Sequence, residues 1–348
     1  MCSSLAKSGL YDVSLVVADN NGDETKNNVN IFDAGKAGGG RFARITQTVK
    51  RVYSKAKELD SDLYHIHDPE LLPIGLKLKR LGKIVIFDAH EDAPKQMLSK
   101  PYLNPFLLKI ISKSLAFYEA YTCKRFDGII TATPFIKDKF MKINKRSLDI
   151  NNYPVLGELL SEVDWESKEN KICYVGAISE IRGIKQAVEA FDKTELAKLL
   201  LVGEFNEPAL KEEVSSYKGW RNIVEVGFLS RGDVSEIMGK SKAGLVTFLP
   251  VPNHVYAQPN KMFEYMSAGL PVIGSNFHYW KEIIEGNNCG ICVNPTDPSS
   301  IAEGVDYILS NPDEAKQMGE NGRQAVVEKY NWGKEEEKLI RFYKELLN

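Results

Sequence analysis

The sequence is poor in the features that would set it apart from ordinary globular proteins. Only five cysteines (2, 123, 173, 289 and 292) are spread over 348 residues. They are too few and too scattered for a disulfide framework, and a reducing cytoplasm suits them best. No run approaches the ~20 apolar residues that span a bilayer. The opening MCSSLAKSGLYDVSLVVAD has no basic flank followed by a long apolar stretch, so it does not read as a secretory signal. Low-complexity segments and short repeats are missing. What is present is 43% apolar, 26% charged and 10% aromatic, an ordinary globular composition at a length that points to two domains.

A net charge of −2 conceals an asymmetry. Residues 1–150 hold 24 Lys/Arg against 17 Asp/Glu, whereas 151–348 hold 21 against 30. The basic excess lies mainly in 95–146, with 11 basic and 3 acidic residues. Within it, 101–125 mixes Tyr102, Phe106, Phe117, Tyr118 and Tyr121 with Lys109, Lys113, Lys124 and Arg125. Helices lying on anionic membranes have this composition, and so do core helices with one solvated basic side. A positive field confined to one block of an acidic protein argues against nucleic acid as a partner.

Short β-branched runs alternate with helical spacing along the chain. The runs are Val13–Ala18, Leu63–His67, Lys83–Asp88 and Gly128–Ala132, then Lys171–Val175, Leu199–Gly203, Asn222–Val226, Ala243–Phe248, Pro271–Gly274 and Gly290–Val293. Between them, segments such as Arg41–Leu59 and Ile184–Phe191 have helical spacing. This rhythm predicts an α/β fold with parallel sheets covered by helices. It breaks at the acidic, strand-poor stretch 151–170, dividing the chain into two doubly wound, Rossmann-like domains. Their expected limits are 1–160 and 165–330, facing a cleft, with a helix over 331–348 packing back toward the first. The first domain opens on a short helical stretch, Ser3–Ser8, where a doubly wound domain opens on a central strand. That strand is expected to be lacking.

The most specific stretch is QPNKMFEYMSAGLPVIGS, 258–275. Pro259 suits a first helical turn, Gly269 a C-terminal cap, and Pro271 stops the helix. Lys261 and Glu264 share a face, while Phe263 and Met266 point into the core. A helix N-terminus with a lysine suits a phosphate, and a carboxylate one turn on suits a vicinal diol. The competing reading is an exposed i,i+3 ion pair worth ~0.2–0.5 kcal/mol.

The pattern P-x-K-x-x-E-Y-M-x-x-G-x-P-V-I resembles the donor-site signature of glycosyltransferase family 4, retaining enzymes with the GT-B fold. The resemblance takes in YVGAISEIRGI (174–184), LLLVGEFNEP (199–208), VEVGFLSRGDVSEIM (224–238), HIHDPELLP (65–73), FDAHEDAP (87–94) and YNWGKEEEKLIRFY (330–343). It implies transfer of a sugar from a nucleotide-sugar to a hydroxyl acceptor, in bacterial surface polysaccharide or lipopolysaccharide-type assembly. The C-terminal domain would hold the nucleotide, with Glu264 on the ribose and Lys261 and Arg182 on the diphosphate. Gly176, Gly203, Phe228 and Asn260 complete the implied donor side. His90 corresponds to the family's cleft histidine, and with Arg182 and Lys261 makes up the expected catalytic set. The acceptor would be a glycan or a lipid-linked molecule, with peripheral contact to an anionic membrane through 95–146. No cofactor and no metal are expected.

Two departures stand out. Ala177 follows Gly176 where relatives often carry a second basic residue, and Tyr256 stands eight residues before Glu264 in place of a carboxylate. With the missing first strand, they make an inactive binding protein one alternative; a nucleotide-sugar epimerase of the same fold is the other. Asp68 and Glu70 read equally as acceptor-side residues or helix caps. GKAGGGR (35–41) does not fit a dinucleotide fingerprint. CGIC (289–292) reads as a core strand, and no His/Asp/Glu group is spaced in sequence like a metal site.

Overall fold

The computed structural model describes residues 1–36, 38–40, 43–98, 104–159, 164–194 and 196–348. Two compact units emerge: Met1–Asn151 together with Glu335–Asn348, and Asn152–Lys334.

In the first unit, α1 (Cys2–Lys7) precedes a three-stranded sheet in the order β1-β3-β2, formed by β1 (Val13–Val17), β2 (Glu24–Lys26) and β3 (Val29–Asp33). β1 and β3 are parallel, and β2 returns antiparallel on β3. The turn joining them, Asn27–Asn28, has positive φ at both residues, the conformation that matches strand twist in a two-residue hairpin. Helix α2 (Val49–Leu59) continues a π-turn at Arg44–Thr48; Arg41, where helical spacing begins in the sequence, lies outside the described residues.

A second, all-parallel sheet follows, β4-β5-β6-β7, built from β4 (Leu63–Ile66), β5 (Ile84–Ala89), β6 (Gly128–Thr131) and β7 (Ser147–Asp149). Its helices are α3 (Leu72–Arg80), α4 (Ala93–Leu98), α5 (Pro105–Cys123) and α6 (Pro134–Met141). The runs IVIFD and GIIT are apolar almost throughout because both faces of such a sheet are covered. No strand among the described residues joins β1 to β4, so this unit carries two sheets where a single doubly wound one was expected. Gly128 on β6 is small because a Cβ there would lie 2.5 Å from the ring of Phe342, on the chain's last helix.

The second unit has one six-stranded parallel sheet, ordered β10-β9-β8-β11-β12-β13. Its strands are β8 (Lys171–Val175), β9 (Lys198–Val202), β10 (Ile223–Gly227), β11 (Ala243–Val246), β12 (Val272–Ser275) and β13 (Gly290–Val293). Counted within the unit, the order is 3-2-1-4-5-6, the doubly wound arrangement. Helices α7 (Ile184–Lys193), α8 (Pro208–Ser215), α9 (Arg231–Lys240), α10 (Asn260–Ser267), α11 (His278–Ile284), α12 (Pro298–Ser310) and α13 (Pro312–Glu328) cover it, and α14 (Trp332–Leu347) ends the chain. The strand order reverses between β8 and β11, and open α/β sheets bind ligands outside the carboxyl ends of the strands at such a point.

Candidate functional site

Helix α10 is fixed at that reversal by its own sequence. Tyr265 is fully buried, and its hydroxyl accepts the amide of Val175, the last residue of β8, at 2.9 Å. The helix stops at Gly269, where φ is +71°; the amides of Gly269 and Leu270 donate back to the carbonyls of Met266 and Tyr265. This paired closure needs a left-handed residue, which glycine adopts without cost to a Cβ. At the other end, Pro259 is the N-cap itself, one residue outside the helix, and offers no side-chain acceptor to the first-turn amides. Asn260 is exposed there, and Phe263 and Met266 are buried as their spacing foretold.

Lys261 is not a solvated side chain. The residue is 7% exposed, and its Nζ has no hydrogen-bond partner. The ammonium lies 3.5 Å from the centre of the Tyr174 ring and 5.6 Å from that of Phe248. Burial, and then the Arg182 charge, pull its pKa well below the ordinary lysine range. Removing an ion from water costs several kcal/mol after relaxation, and ring faces offset only part of that. The i,i+3 ion pair with Glu264 is therefore not the arrangement adopted.

Around this cation the chain turns tightly. Gly176 follows β8, and Gly203 follows β9 with φ of +134°. A Cβ on Gly203 would lie 2.2 Å from the Gly176 carbonyl oxygen, so the two loops touch through backbone. Arg182 ends a 3-10 turn, Glu180–Arg182, and its Nη1 donates to the Ala177 carbonyl at 3.0 Å. Its guanidinium lies 5.5 Å from the Phe248 ring centre. Gly176, Arg182, Gly203 and Lys261 thus meet outside the carboxyl ends of β8 and β9, together with Phe248, which follows β11. Phe248 was missed in the sequence because it reads as the end of an apolar strand.

Glu264 takes a different partner from the one its spacing suggested. Its Oε1 accepts from Arg231 Nη1 at 2.8 Å, and the same guanidinium holds Glu158 through Nε at 3.0 Å and Nη2 at 3.3 Å. Arg231 opens α9, while Glu158 lies far back in the chain, so no local pattern announced either. Phe228, just after β10, is 79% exposed.

His90 lies in the first unit, directly after β5. Its Nε2 is 3.1 Å from His67 Nδ1, with the rings stacked, and His67 stacks in turn on His65. Below the three imidazoles is Asp88, whose side chain is 1% exposed; its Oδ2 is 3.5 Å from His65 Nε2, 3.3 Å from His67 Nδ1 and 3.8 Å from His90 Nε2. Burial works against ionisation of Asp88, but the facing imidazoles of His65 and His67 outweigh it and hold the carboxyl far below its usual range. Burial pushes His65 down. The sequence offered no metal-like spacing here, yet His65, His67 and Asp88 converge, because two neighbouring strands bring together what the chain separates. Glu70 is ion-paired with Arg44, and Asp68 makes no side-chain cap. Cys289 is buried and Cys292 partly so, with both thiols pushed up to about 12 by burial.

Comparison with known proteins bears on both units. Residues 158–325 match the model of the glycosyl transferases group 1, and residues 1–147 that of Glycosyltransferase Family 4. An uncharacterized glycosyltransferase of Methanocaldococcus jannaschii is 25% identical over 81% of this chain and 75% of its own. N-acetyl-alpha-D-glucosaminyl L-malate synthase of Bacillus anthracis is 25% identical over 53% of this chain and 47% of its own. Among solved structures, sucrose-phosphate synthase of Thermosynechococcus elongatus superimposes with a TM-score of 0.82 at 18% identity, over 99% of this chain and 91% of its own. Anabaena HepE in complex with UDP-glucose gives 0.72 at 13% identity, over 92% and 87%. The two family matches together take in most of the sequence, and the chain belongs to the family 4 glycosyltransferases, with their GT-B fold of two Rossmann-like domains.

Proposed function

We propose that the protein transfers a hexose from a nucleoside-diphosphate sugar to a hydroxyl acceptor, with retention of configuration, in bacterial surface polysaccharide or lipopolysaccharide-type assembly. The observation that carries this reading is the buried, unpartnered ammonium of Lys261 beside Arg182 and the open N-terminus of α10. A diphosphate supplies the anion this group lacks. Arg182, Lys261 and the first-turn amides then stabilise the charge that grows as the glycosidic bond breaks, without a metal on the diphosphate. Glu264, held by Arg231, accepts from the ribose diol. Exposed Phe228 is available to a base, and Asn260 to the phosphates. No enzyme nucleophile takes part; the departing phosphate accepts the acceptor's proton, and His90 positions the acceptor on the first unit. Anabaena HepE was solved with UDP and with UDP-glucose, which makes UDP-glucose the first donor to test.

The exposed face of α5 supports a membrane setting for the acceptor. Phe106 and Phe117 are 73% and 76% exposed, and Leu107, Ile110 and Tyr121 are exposed beside them. These aromatics are not consumed by the core, so Lys109, Lys113, Lys124 and Arg125 flank an apolar stripe suited to an anionic interface. Tyr102 and Lys100 of this block lie outside the described residues. No helix among the described residues is long and apolar enough to cross a membrane. We place the enzyme in the cytoplasm, at the inner face of the cell membrane, acting on a glycan or lipid-linked acceptor.

The test is release of nucleoside diphosphate with and without candidate acceptors, after a donor panel read by thermal shift. Release that requires an acceptor supports transfer. Interconversion of the donor sugar without acceptor would mean an epimerase, and binding without turnover an inactive protein.

A further inference from the structure

The end of β4 and the end of β5 hold a group of side chains that the sugar-transfer reading leaves largely unused. His65 and His67 alternate with Ile66, which is buried, so both imidazoles fall on one face of the strand. β4 and β5 are paired with His65 opposite Ile86 and Ile66 opposite Phe87. Continuing that register sets His67 beside Asp88. One Nδ1/Nε2 or carboxylate oxygen from each of His65, His67 and Asp88 lies within 4.8 Å of the other two.

We propose that His65 Nε2, His67 Nδ1 and Asp88 Oδ2 bind one divalent transition-metal ion of the zinc class, with His90 beside its fourth position.

Three observations support this independently of any activity. The first is unmet bonding capacity: His65 Nε2 and both oxygens of Asp88 are buried and have no hydrogen-bond partner. Among the described residues Asp88 meets no lysine or arginine, only the three histidines. A buried carboxylate approached only by imidazoles, at 3.3–3.8 Å, is costly to desolvate, and a divalent ion offsets that cost. The second is spacing. Asp88 Oδ2 stands 3.5 Å from His65 Nε2 and 3.3 Å from His67 Nδ1. Ligand atoms held ~2.0–2.1 Å from a tetrahedral zinc are separated by about 3.3–3.4 Å. These separations are long for hydrogen bonds and suited to a shared ion.

The third is the outer shell. A metal-bound histidine normally hydrogen-bonds through its other ring nitrogen, which fixes the tautomer and the ring. His65 Nδ1 lies 2.8 Å from the Tyr343 hydroxyl; with Nδ1–H donating there, Nε2 presents its lone pair to the site. Two imidazoles and one carboxylate, with a position left over, match zinc sites that keep an exchangeable ligand. His90 Nε2 lies beside the group, 3.1 Å from His67 Nδ1 and 3.8 Å from Asp88 Oδ2, on a half-exposed side chain.

The experiment uses the full chain, stripped with chelator and titrated with Co(II) and Zn(II). Visible ligand-field bands of four-coordinate Co(II) at one equivalent, displaced by Zn(II), are expected. Asp88→Asn and His67→Gln should each weaken Zn(II) binding by at least tenfold by calorimetry. Tyr343→Phe should weaken it less, and His278→Ala not at all. Circular dichroism checks the fold; because His67 is 39% exposed on its side chain, its variant gives the answer if Asp88→Asn does not fold. Absence of the bands, stoichiometry well below one, or binding unchanged in His67→Gln would overturn the proposal. Because no turnover is measured, failure here leaves the sugar-transfer reading standing, and failure of that reading leaves this one.

Discussion

The two units each bury a charge without a conventional partner, and the charges have opposite sign. In the second unit it is the ammonium of Lys261, set against Tyr174 and Phe248. In the first it is the carboxylate of Asp88, set against three imidazoles. A protein folding for stability alone would neutralise or expose both groups. The difference in sign points to complementary ligands, an anion at the sheet reversal of one unit and a cation at the strand ends of the other. Their neighbours also differ in kind. Aromatic faces leave a lysine able to accept a diphosphate, whereas imidazoles offer lone pairs that an ion can share.

The largest effect expected from disturbing this pattern is at Lys261. Lys261→Met should weaken nucleoside-diphosphate binding by ~2–5 kcal/mol, the usual cost of truncating one partner of a buried charge pair. It should also stabilise the nucleotide-free protein by ~1 kcal/mol or more, a few degrees in melting temperature. Calorimetry with scanning fluorimetry checks both, and a variant that loses stability along with affinity would break the contrast. The sign with pH follows from the lowered pKa. The folded protein resists protonation more than the unfolded chain, so the penalty is complete below the folded pKa. It disappears as pH rises toward the ordinary lysine value, and the advantage of methionine should shrink over the same window. Diphosphate affinity of the wild type should fall as pH rises through the folded pKa.

Next comes Glu264. Its replacement by alanine should cost ~2–3 kcal/mol in nucleotide affinity, from lost charge-assisted bonds to a diol, with the fold retained because Arg231 keeps Glu158. Arg231→Ala should produce a smaller loss, about 1 kcal/mol, by releasing Glu264 from its orientation. Equal affinity for ribo- and deoxyribonucleotides in the wild type would remove the diol from the account.

Kinetics then separate the two units. Arg182→Ala should lower turnover more than donor affinity, because an interaction that strengthens in the transition state is lost. His90→Ala should leave nucleotide binding close to wild type and reduce transfer. Wild-type transfer by that variant would confine His90 to the imidazole stack.

The smallest effect is at the surface. Binding to anionic liposomes should weaken with salt, since each Lys or Arg near such a surface contributes ~1 kcal/mol at most and is screened within a Debye length. Phe117→Ser should reduce what survives at high salt. Co-sedimentation with anionic and neutral vesicles decides it, and binding indifferent to lipid charge would return the block to an ordinary solvated face.

Much of this architecture was legible in the residues. All ten β-branched runs singled out in the sequence are strands; those covered on both faces, such as β6, β11 and β12, are buried along their whole length. Pro259, Gly269 and Pro271 bounded α10 to within one residue, since caps act locally. The hairpin at Asn27–Asn28 was overlooked although its turn residues announced it; its short, exposed strand β2 carries no apolar alternation.

What the sequence by itself determined is therefore periodicity, punctuation and family, properties that each segment carries within its own few residues. It supplied a lysine and a glutamate on one helix and a histidine at a strand end. Only the tertiary structure decided that Lys261 is buried without a counter-ion, that Glu264 belongs to Arg231 and Glu158, and that His65, His67 and Asp88 meet. Burial and charge pairing depend on groups distant in the chain, and no local pattern fixes which of them will share a dielectric.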